Sequence, residues 1–298
     1  MMFIFDVAQI AQKSLFYEAA LYPKPGLVTP LDSGSHSDMD YKTFIDSGVA
    51  LLPCFIACTS IGHDLSHWPP PDVLPRLKEA GKQGEKAMYH ATGGINTHKG
   101  AIFLLGLLCA AVGRLQALQQ TPNPVPVAET ASLFVQGIVE RELKTFEQGN
   151  ADRGLASCTA GELAYILHRI DGARGEAERG FPTALTALEE LKTLEAQNVS
   201  ERGAPISLQM RQVHVLMGIM ADNADSNLVS RGGIEAVGEV RSLAREVLAA
   251  GSVWTEEGRA RIRDMEKALV AKRLSPGGCA DLLSCALFLQ MIEGELSA

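Results

Sequence analysis

The stretch Gly93-Gly94-Ile95-Asn96-Thr97-His98-Lys99-Gly100-Ala101-Ile102-Phe103-Leu104-Leu105-Gly106-Leu107-Leu108-Cys109-Ala110-Ala111-Val112 decides the fold of this chain. From Ala101 to Val112 it carries no charge. A helix that is apolar on every side has no face that prefers water, so it must be buried. Its first turn leaves backbone N–H groups without intrahelical partners. The positive end of the helix dipole lies at the same place. Two glycines, an amide, a hydroxyl, an imidazole and an ammonium crowd that end. The combination predicts an anion site at the mouth of a core helix, with a phosphate as the natural guest.

Outward from this helix, apolar residues recur at helical spacing almost everywhere. Helices are predicted near 6–22, 41–62, 72–91, 99–118, 127–147, 160–169, 183–197, 206–222, 233–250, 255–272 and 279–294. Thr159-Ala160-Gly161-Glu162 reads as a capping box. Thr255 before Glu256 and Glu257 reads as another helix start. No convincing alternating strand appears. The expected class is all-α, a single multi-helix domain over residues 1–298 with buried apolar helices and Gly-rich polar loops at helix N-termini. Trp68-Pro69-Pro70-Pro71 and Pro122-Asn123-Pro124-Val125-Pro126 punctuate it without being long enough to act as flexible linkers. No repeat of fixed period is seen.

The chain has 298 residues, of which 46% are hydrophobic, so a sizeable core can form and disorder is excluded as its general state. A formal net charge of -8 argues against general nucleic-acid binding, which needs a basic face. The six cysteines include no Cys-x-x-Cys pair, and most lie in apolar helical runs, so they read as reduced core residues. The N-terminal residues lack a basic region and a small-residue cleavage site, unlike a signal peptide. The longest uncharged apolar stretch reads as too short to span a bilayer comfortably. A cytoplasmic protein with no membrane partner is expected.

Five segments interrupt the helical pattern with glycine or proline beside charged groups. They are 23–28 with 32–40, 93–100, 171–182, 225–233 and 274–283. None is a Walker A loop, because Gly100 rather than Ser or Thr follows Lys99. None is a dinucleotide fingerprint, since no strand precedes it. A bound nucleotide would be held by helix N-termini and side chains. Each segment alone could be a plain connector: Asp38 and Asp40 could start a helix, and Arg174 with Glu178 could be a surface pair. Recurrence of glycine with an ionisable group in all five favours a shared site. His63 and His67 lie four apart, but prolines follow and no glutamate base separates them, so zinc is disfavoured.

In this order the segments resemble the triphosphoribosyl-dephospho-CoA synthase family. The matching runs are Glu18 with Pro-Lys-Pro-Gly-Leu-Val at 23–28 and Ser-Gly-Ser-His-Ser-Asp-Met-Asp at 33–40. Gly-Ile-Asn-Thr-His-Lys-Gly-Ala-Ile-Phe at 94–103 is the most specific. Gly-Ala-Arg-Gly-Glu-Ala-Glu at 172–178, Asn-Leu-Val-Ser-Arg-Gly-Gly at 227–233 and Leu-Ser-Pro-Gly-Gly-Cys-Ala-Asp-Leu-Leu at 274–283 complete the set. The family pattern usually has an acidic residue where Thr29 stands, which argues against a catalytic carboxylate at that position.

The resemblance implies a transferase. ATP gives its 5-triphosphoribosyl group to the 2′-hydroxyl of 3′-dephospho-CoA, and adenine leaves. The product is a prosthetic-group precursor, with a few residues favouring citrate lyase over malonate decarboxylase. Lys24, Asn96, His98, Lys99, Arg174, Asn227, Arg231, Gly277 and Gly278 are the expected nucleotide-binding set, with Lys24, His98, Lys99, Arg174 and Arg231 as its cations. Glu176, Glu178 and Asp225 would repel triphosphate unless Mg²⁺ intervened, so they are the expected metal residues. An N-glycosidic bond breaks through an oxocarbenium-like state, which calls for carboxylates. Asp38 and Asp40 are the leading candidates, with Asp281 behind them. Expected partners are the two small-molecule substrates and downstream enzymes of the citrate lyase acyl-carrier pathway, with a homo-oligomer left open. The competing readings are a helical purine-nucleoside glycosyl hydrolase and a non-catalytic binding module.

Overall fold

The computed structural model describes residues 4–144, 158–197 and 207–297, and among these no residue is in a β-strand. The helices are α1 (Ile4–Ala19), α2 (Tyr41–Ala50), α3 (Leu52–Asp64), α4 (Pro70–Ala91), α5 (Lys99–Ala117), α6 (Pro124–Phe134), α7 (Ala160–His168), α8 (Gly172–Glu178), α9 (Pro182–Gln197), α10 (Leu208–Asp222), α11 (Ser226–Ala249), α12 (Glu256–Lys272) and α13 (Gly277–Ser297). The all-α expectation holds.

The uncharged run becomes α5, and every residue from Leu104 to Gly113 on it is buried. It is packed by α1, α3, α4, α6, α8 and α13. Each fully buried leucine contributes roughly 2 kcal/mol. The α3–α5 approach is unusually close for a steric reason. A β-carbon at Gly62 would collide with the Ala110 carbonyl, and one at Gly113 with the Thr59 carbonyl. One hydrophobic cluster then continues from α1 through α5 to α10, α11 and α13. Cys54, Cys58, Cys109, Cys279 and Cys285 are buried and unbridged, as expected of core residues.

By length and composition alone, two segments would cross a membrane: 41–64 and α5. The length argument against a span therefore does not hold. Burial removes α5 from consideration, and the 41–64 run is broken between α2 and α3 at Leu51, where Pro53 begins a new helix.

Both expected helix starts are present. Thr159 and Glu162 cap each other, and Thr255 Oγ1 accepts from the Gly258 amide at 2.9 Å. The helix expected over 41–62 is two helices, α2 and α3, divided at Leu51. Three further expectations differ. The helix expected over 127–147 stops at Phe134, Gly137 takes a positive φ of 74°, and a wide helical turn covers Val139–Lys144. Residues 145–147 of that expectation lie outside the described residues. The segment 171–182, read as a loop, contains α8. The segment 225–233, also read as a loop, forms the first turns of α11, which bends at Gly232 and Gly233.

Candidate active site

Asp225 shows how the site is assembled. Its Oδ1 accepts from the Asn227 amide at 2.7 Å, and its Oδ2 from the Cys279 amide at 3.0 Å. One carboxylate thus caps α11 and α13 together and brings their N-termini to one point. α5 opens onto the same place. The Asp281 side chain, from the first turns of α13, accepts from the Ala101 amide in the first turn of α5. Its Oδ2 lies where a β-carbon of Gly100 would have to sit, so the glycine after Lys99 is what admits it. Asn96 Oδ1 accepts from the Lys99 amide at 3.2 Å. The acceptor at the mouth of the core helix is therefore a carboxyl of the chain itself. Of the amides at that mouth, those of Lys99 and Ala101 already have partners within the chain.

Asp281, Asn96, Lys99, Gly100 and Asn227 form a wall between two spaces. On one side is an inner chamber of about 150 Å³. On the other is an outer cleft of about 860 Å³. The inner chamber has apolar faces from Leu27, Val28, Met39 and Phe44, and polar edges from His36, His98, Arg231 and the Glu18–Lys24 pair. The outer cleft runs between α4 and α5 and then past α8 and the start of α11.

Charge states follow from burial. Asp281 is held well above the usual carboxylate range, first by burial, then by the nearby charges of Asp225 and Glu18. The Ala101 hydrogen bond acts the other way and is the smaller effect. Asp281 is half-buried, and these surroundings favour its neutral form. His98, 3% exposed, is pushed down to about 3 by burial and by Lys24. It is a neutral imidazole and not the cation expected. Its Nδ1 meets Ser47 Oγ at 2.7 Å, Ser47 Oγ accepts from Thr97 at 2.6 Å, and its Nε2 has no partner. In that chain the serine proton goes to Nδ1, leaving Nε2 as the N–H. Phe44 sits edge-on to the ring at 4.9 Å. Lys24 is 2% exposed and donates to Glu18 Oε1 at 2.6 Å, so its charge is balanced within the chamber. His36 is lowered by burial and by Arg231, whose guanidinium lies 3.4 Å from its Nδ1.

The remaining expected residues divide. Lys99 pairs with Glu85 at 3.2 Å and Arg174 with Glu142 at 2.9 Å, both in the outer cleft. Gly277 faces the inner chamber and Gly278 the outer cleft. Their lack of side chains lets Asn227 and Asp225 come close. Asp40 is exposed and caps α2 by accepting from the Thr43 amide at 2.9 Å. Asp38 is exposed beside His36. Neither is among the residues lining the two spaces. Glu176 accepts from the Thr183 and Ala184 amides and from the Thr183 hydroxyl, anchoring the start of α9. Glu178 accepts from the Gly137 and Val139 amides, so Arg174 and Glu178 do not pair with each other. His63 bonds to Asp64 on an exposed helix end.

The expected metal residues are thus each occupied by backbone amides. Among the described residues no three His, Cys, Asp or Glu side chains are grouped to hold a metal ion. The residues present do not fit a resident Mg²⁺.

Sequence reasoning gave no role to several lining residues: Glu18, Phe44, Lys82, Glu85, Arg179 and Arg241. Glu18 stood beside a quoted motif, and Arg179 lay in a quoted segment. The others lie on ordinary amphipathic helices, and no local signal marks them.

A helical enzyme-like scaffold with a half-buried carboxyl shared by two chambers is the class these features define. The chain belongs to the CitG family, ATP:dephospho-CoA triphosphoribosyl transferase, whose model matches residues 4–298. A Vibrio cholerae protein named as a probable 2-(5''-triphosphoribosyl)-3'-dephosphocoenzyme-A synthase is 38% identical over 96% of this chain and 88% of its own. A Haemophilus ducreyi protein named as a 2-(5''-triphosphoribosyl)-3'-dephosphocoenzyme-A synthase is 35% identical over 95% of this chain and 87% of its own. In fold, the chain matches a crystal structure from Archaeoglobus fulgidus assigned to the same kind of synthase. The TM-score is 0.50 at 16% identity, over 83% of this chain and 98% of that one.

Proposed function

We propose that this chain transfers the triphosphoribosyl group of ATP to the 2′-hydroxyl of 3′-dephospho-CoA and releases adenine. The observation that carries the reading is Asp281, a half-buried carboxyl that lines both spaces and that its surroundings hold toward the neutral form. Adenine is a poor leaving group until a ring nitrogen is protonated, and a neutral acid supplies that proton.

The inner chamber suits the purine. Apolar side chains meet its faces, and the Asn96 and Asn227 amides with the His98 Nε2–H meet its edge. The ribose then lies at the wall, with the triphosphate toward Arg174, Arg179 and Arg241 in the outer cleft. The C1′–N9 bond breaks with its electron pair going to adenine, and Asp281 gives its proton to the purine. The acceptor 2′-oxygen bonds to C1′ from the outer side, and its proton passes into the open cleft.

Asp281 takes the acid role in this reading, ahead of Asp38 and Asp40. Lys99, at the wall, is placed for the ribose and the first phosphate. Any Mg²⁺ enters with the triphosphate, since the protein offers it no grouped ligands among the described residues. The reading extends to a cytoplasmic setting, the citrate lyase branch and its acyl-carrier enzymes downstream. The test is adenine formation from ATP, with and without dephospho-CoA. Adenine made only with both supports the proposal. Adenine made from ATP alone points to hydrolysis, and ADP in its place rejects it.

A further inference from the structure

The outer cleft has a graded arm that the transfer chemistry does not use. α4 contributes Leu74, Leu77, Lys78, Gly81, Lys82 and Glu85 to it, spaced as one stripe of a helix. α5 contributes a facing stripe from Lys99 and Gly100 through Phe103 to Gly106 and Leu107. The Lys99–Glu85 contact joins the start of α5 to the later turns of α4, so the two helices run antiparallel. From Lys99 to Leu107 the arm is about 12 Å long at the rise of an α-helix. At the wall end it carries Lys82, Glu85 and Lys99; at the far end its floor is Cys58, Leu74, Leu77 and Leu107, with the Lys78–Glu142 ion pair at its side. No carboxylate lies in salt-bridge contact with Lys82 among the described residues.

We propose that this α4–α5 groove holds the acceptor's non-nucleotide half, with the pyrophosphate beside Lys82 and the pantetheine arm over the apolar floor. The assignment rests on the acceptor named above. Of the pieces of the two substrates, only pantetheine is a long uncharged chain; the apolar floor gives a triphosphate no hydrogen-bond partners, and Lys78 beside it is already neutralised by Glu142. The groove is continuous with the wall at Lys99 and Gly100, so a molecule lying in it reaches Asp281 with its adenosine end.

Gly81 allows a clean test. It lines the groove, and a β-carbon there would meet only an Ile102 methyl at 3.9 Å, in ordinary contact. Gly81→Leu therefore fills the groove and does not disturb a tight helix contact. Two acceptors are compared: dephospho-CoA, and the methyl ester of ADP, which keeps the adenosine and pyrophosphate but lacks the pantetheine arm. Gly81→Leu should raise KM for dephospho-CoA tenfold or more. It should leave kcat, KM for ATP and KM for the methyl ester within about twofold. Lys82→Ala should raise KM for both acceptors alike, because both carry the pyrophosphate. Equal effects of Gly81→Leu on the two acceptors, or no effect on either, would overturn the groove assignment while transfer itself persists. If Gly81→Leu does not fold, dephospho-CoA binding to the wild-type protein decides. Pantetheine competing with it supports the assignment, and no competition at millimolar pantetheine overturns it. Wild-type protein that transfers to neither acceptor would overturn the underlying reaction and this assignment with it.

Discussion

Replacing Asp281 by Asn separates the acid from the scaffold. The amide has the size of a neutral carboxyl. Its oxygen can still accept from the Ala101 amide, and it fits the space left by Gly100. It cannot donate a proton to a leaving base. A positioned general acid contributes roughly 10²–10⁴ in rate, or about 3–5 kcal/mol of barrier. Asp281→Asn should therefore cut kcat by about that factor while KM for ATP changes by no more than about threefold.

Stability should move the opposite way. The folded-state pKa of Asp281 lies above its unfolded value, so between the two the folded state binds more protons, and stability falls as pH rises through that window. The Asn variant lacks this decline, so it should melt no lower than wild type, and its advantage should grow with pH. The assay is initial-rate adenine release across pH, alongside thermal melting. Wild-type kcat should fall as pH rises through the raised pKa, and the variant's profile should lack that limb. Near-normal kcat in Asp281→Asn would refute the acid role. So would a wild-type rate that climbs with pH through the same range, since the ionised form would then be the active one.

Three further outcomes follow from packing and charge. Gly62→Ala should cost at least about 2 kcal/mol by denaturant titration, because its β-carbon collides with the Ala110 backbone between two packed helices. Lys24→Met should cost about 3–5 kcal/mol by leaving Glu18 buried without its cation, and adding Glu18→Gln should recover much of it. Asp40→Ala should lower the melting temperature slightly through its lost cap and leave kcat intact, whereas a large loss of kcat would return Asp40 to the chemistry.

The class of fold was legible because buried helices and helix starts are local matters. The charge-free run of α5 and the Thr159 and Thr255 caps are written in consecutive residues. The segments 171–182 and 225–233 were not read as helix because Gly172, Gly175, Gly232 and Gly233 give them poor intrinsic propensity. Distant bonds hold them: Glu178 to the amides of Gly137 and Val139, and Asp225 to the amide of Cys279. The quoted motifs do supply much of the lining of the two spaces. Roles within it depended on which loops meet. Asp281 stood third in sequence order of preference because nothing local shows that it caps a helix some 180 residues earlier. His98 read as a cation because its burial is a tertiary fact. Glu176 and Asp225 read as metal residues because the amides they satisfy belong to other elements.

The central claim is that the triphosphate stays whole while the base departs. ATP labelled with ³²P at the γ-phosphate tests it directly. After incubation with dephospho-CoA, the account predicts γ-label covalently joined to the dephospho-CoA-derived product, in one-to-one proportion with free adenine. Label recovered as inorganic phosphate or pyrophosphate, or a product that carries no label, would contradict it.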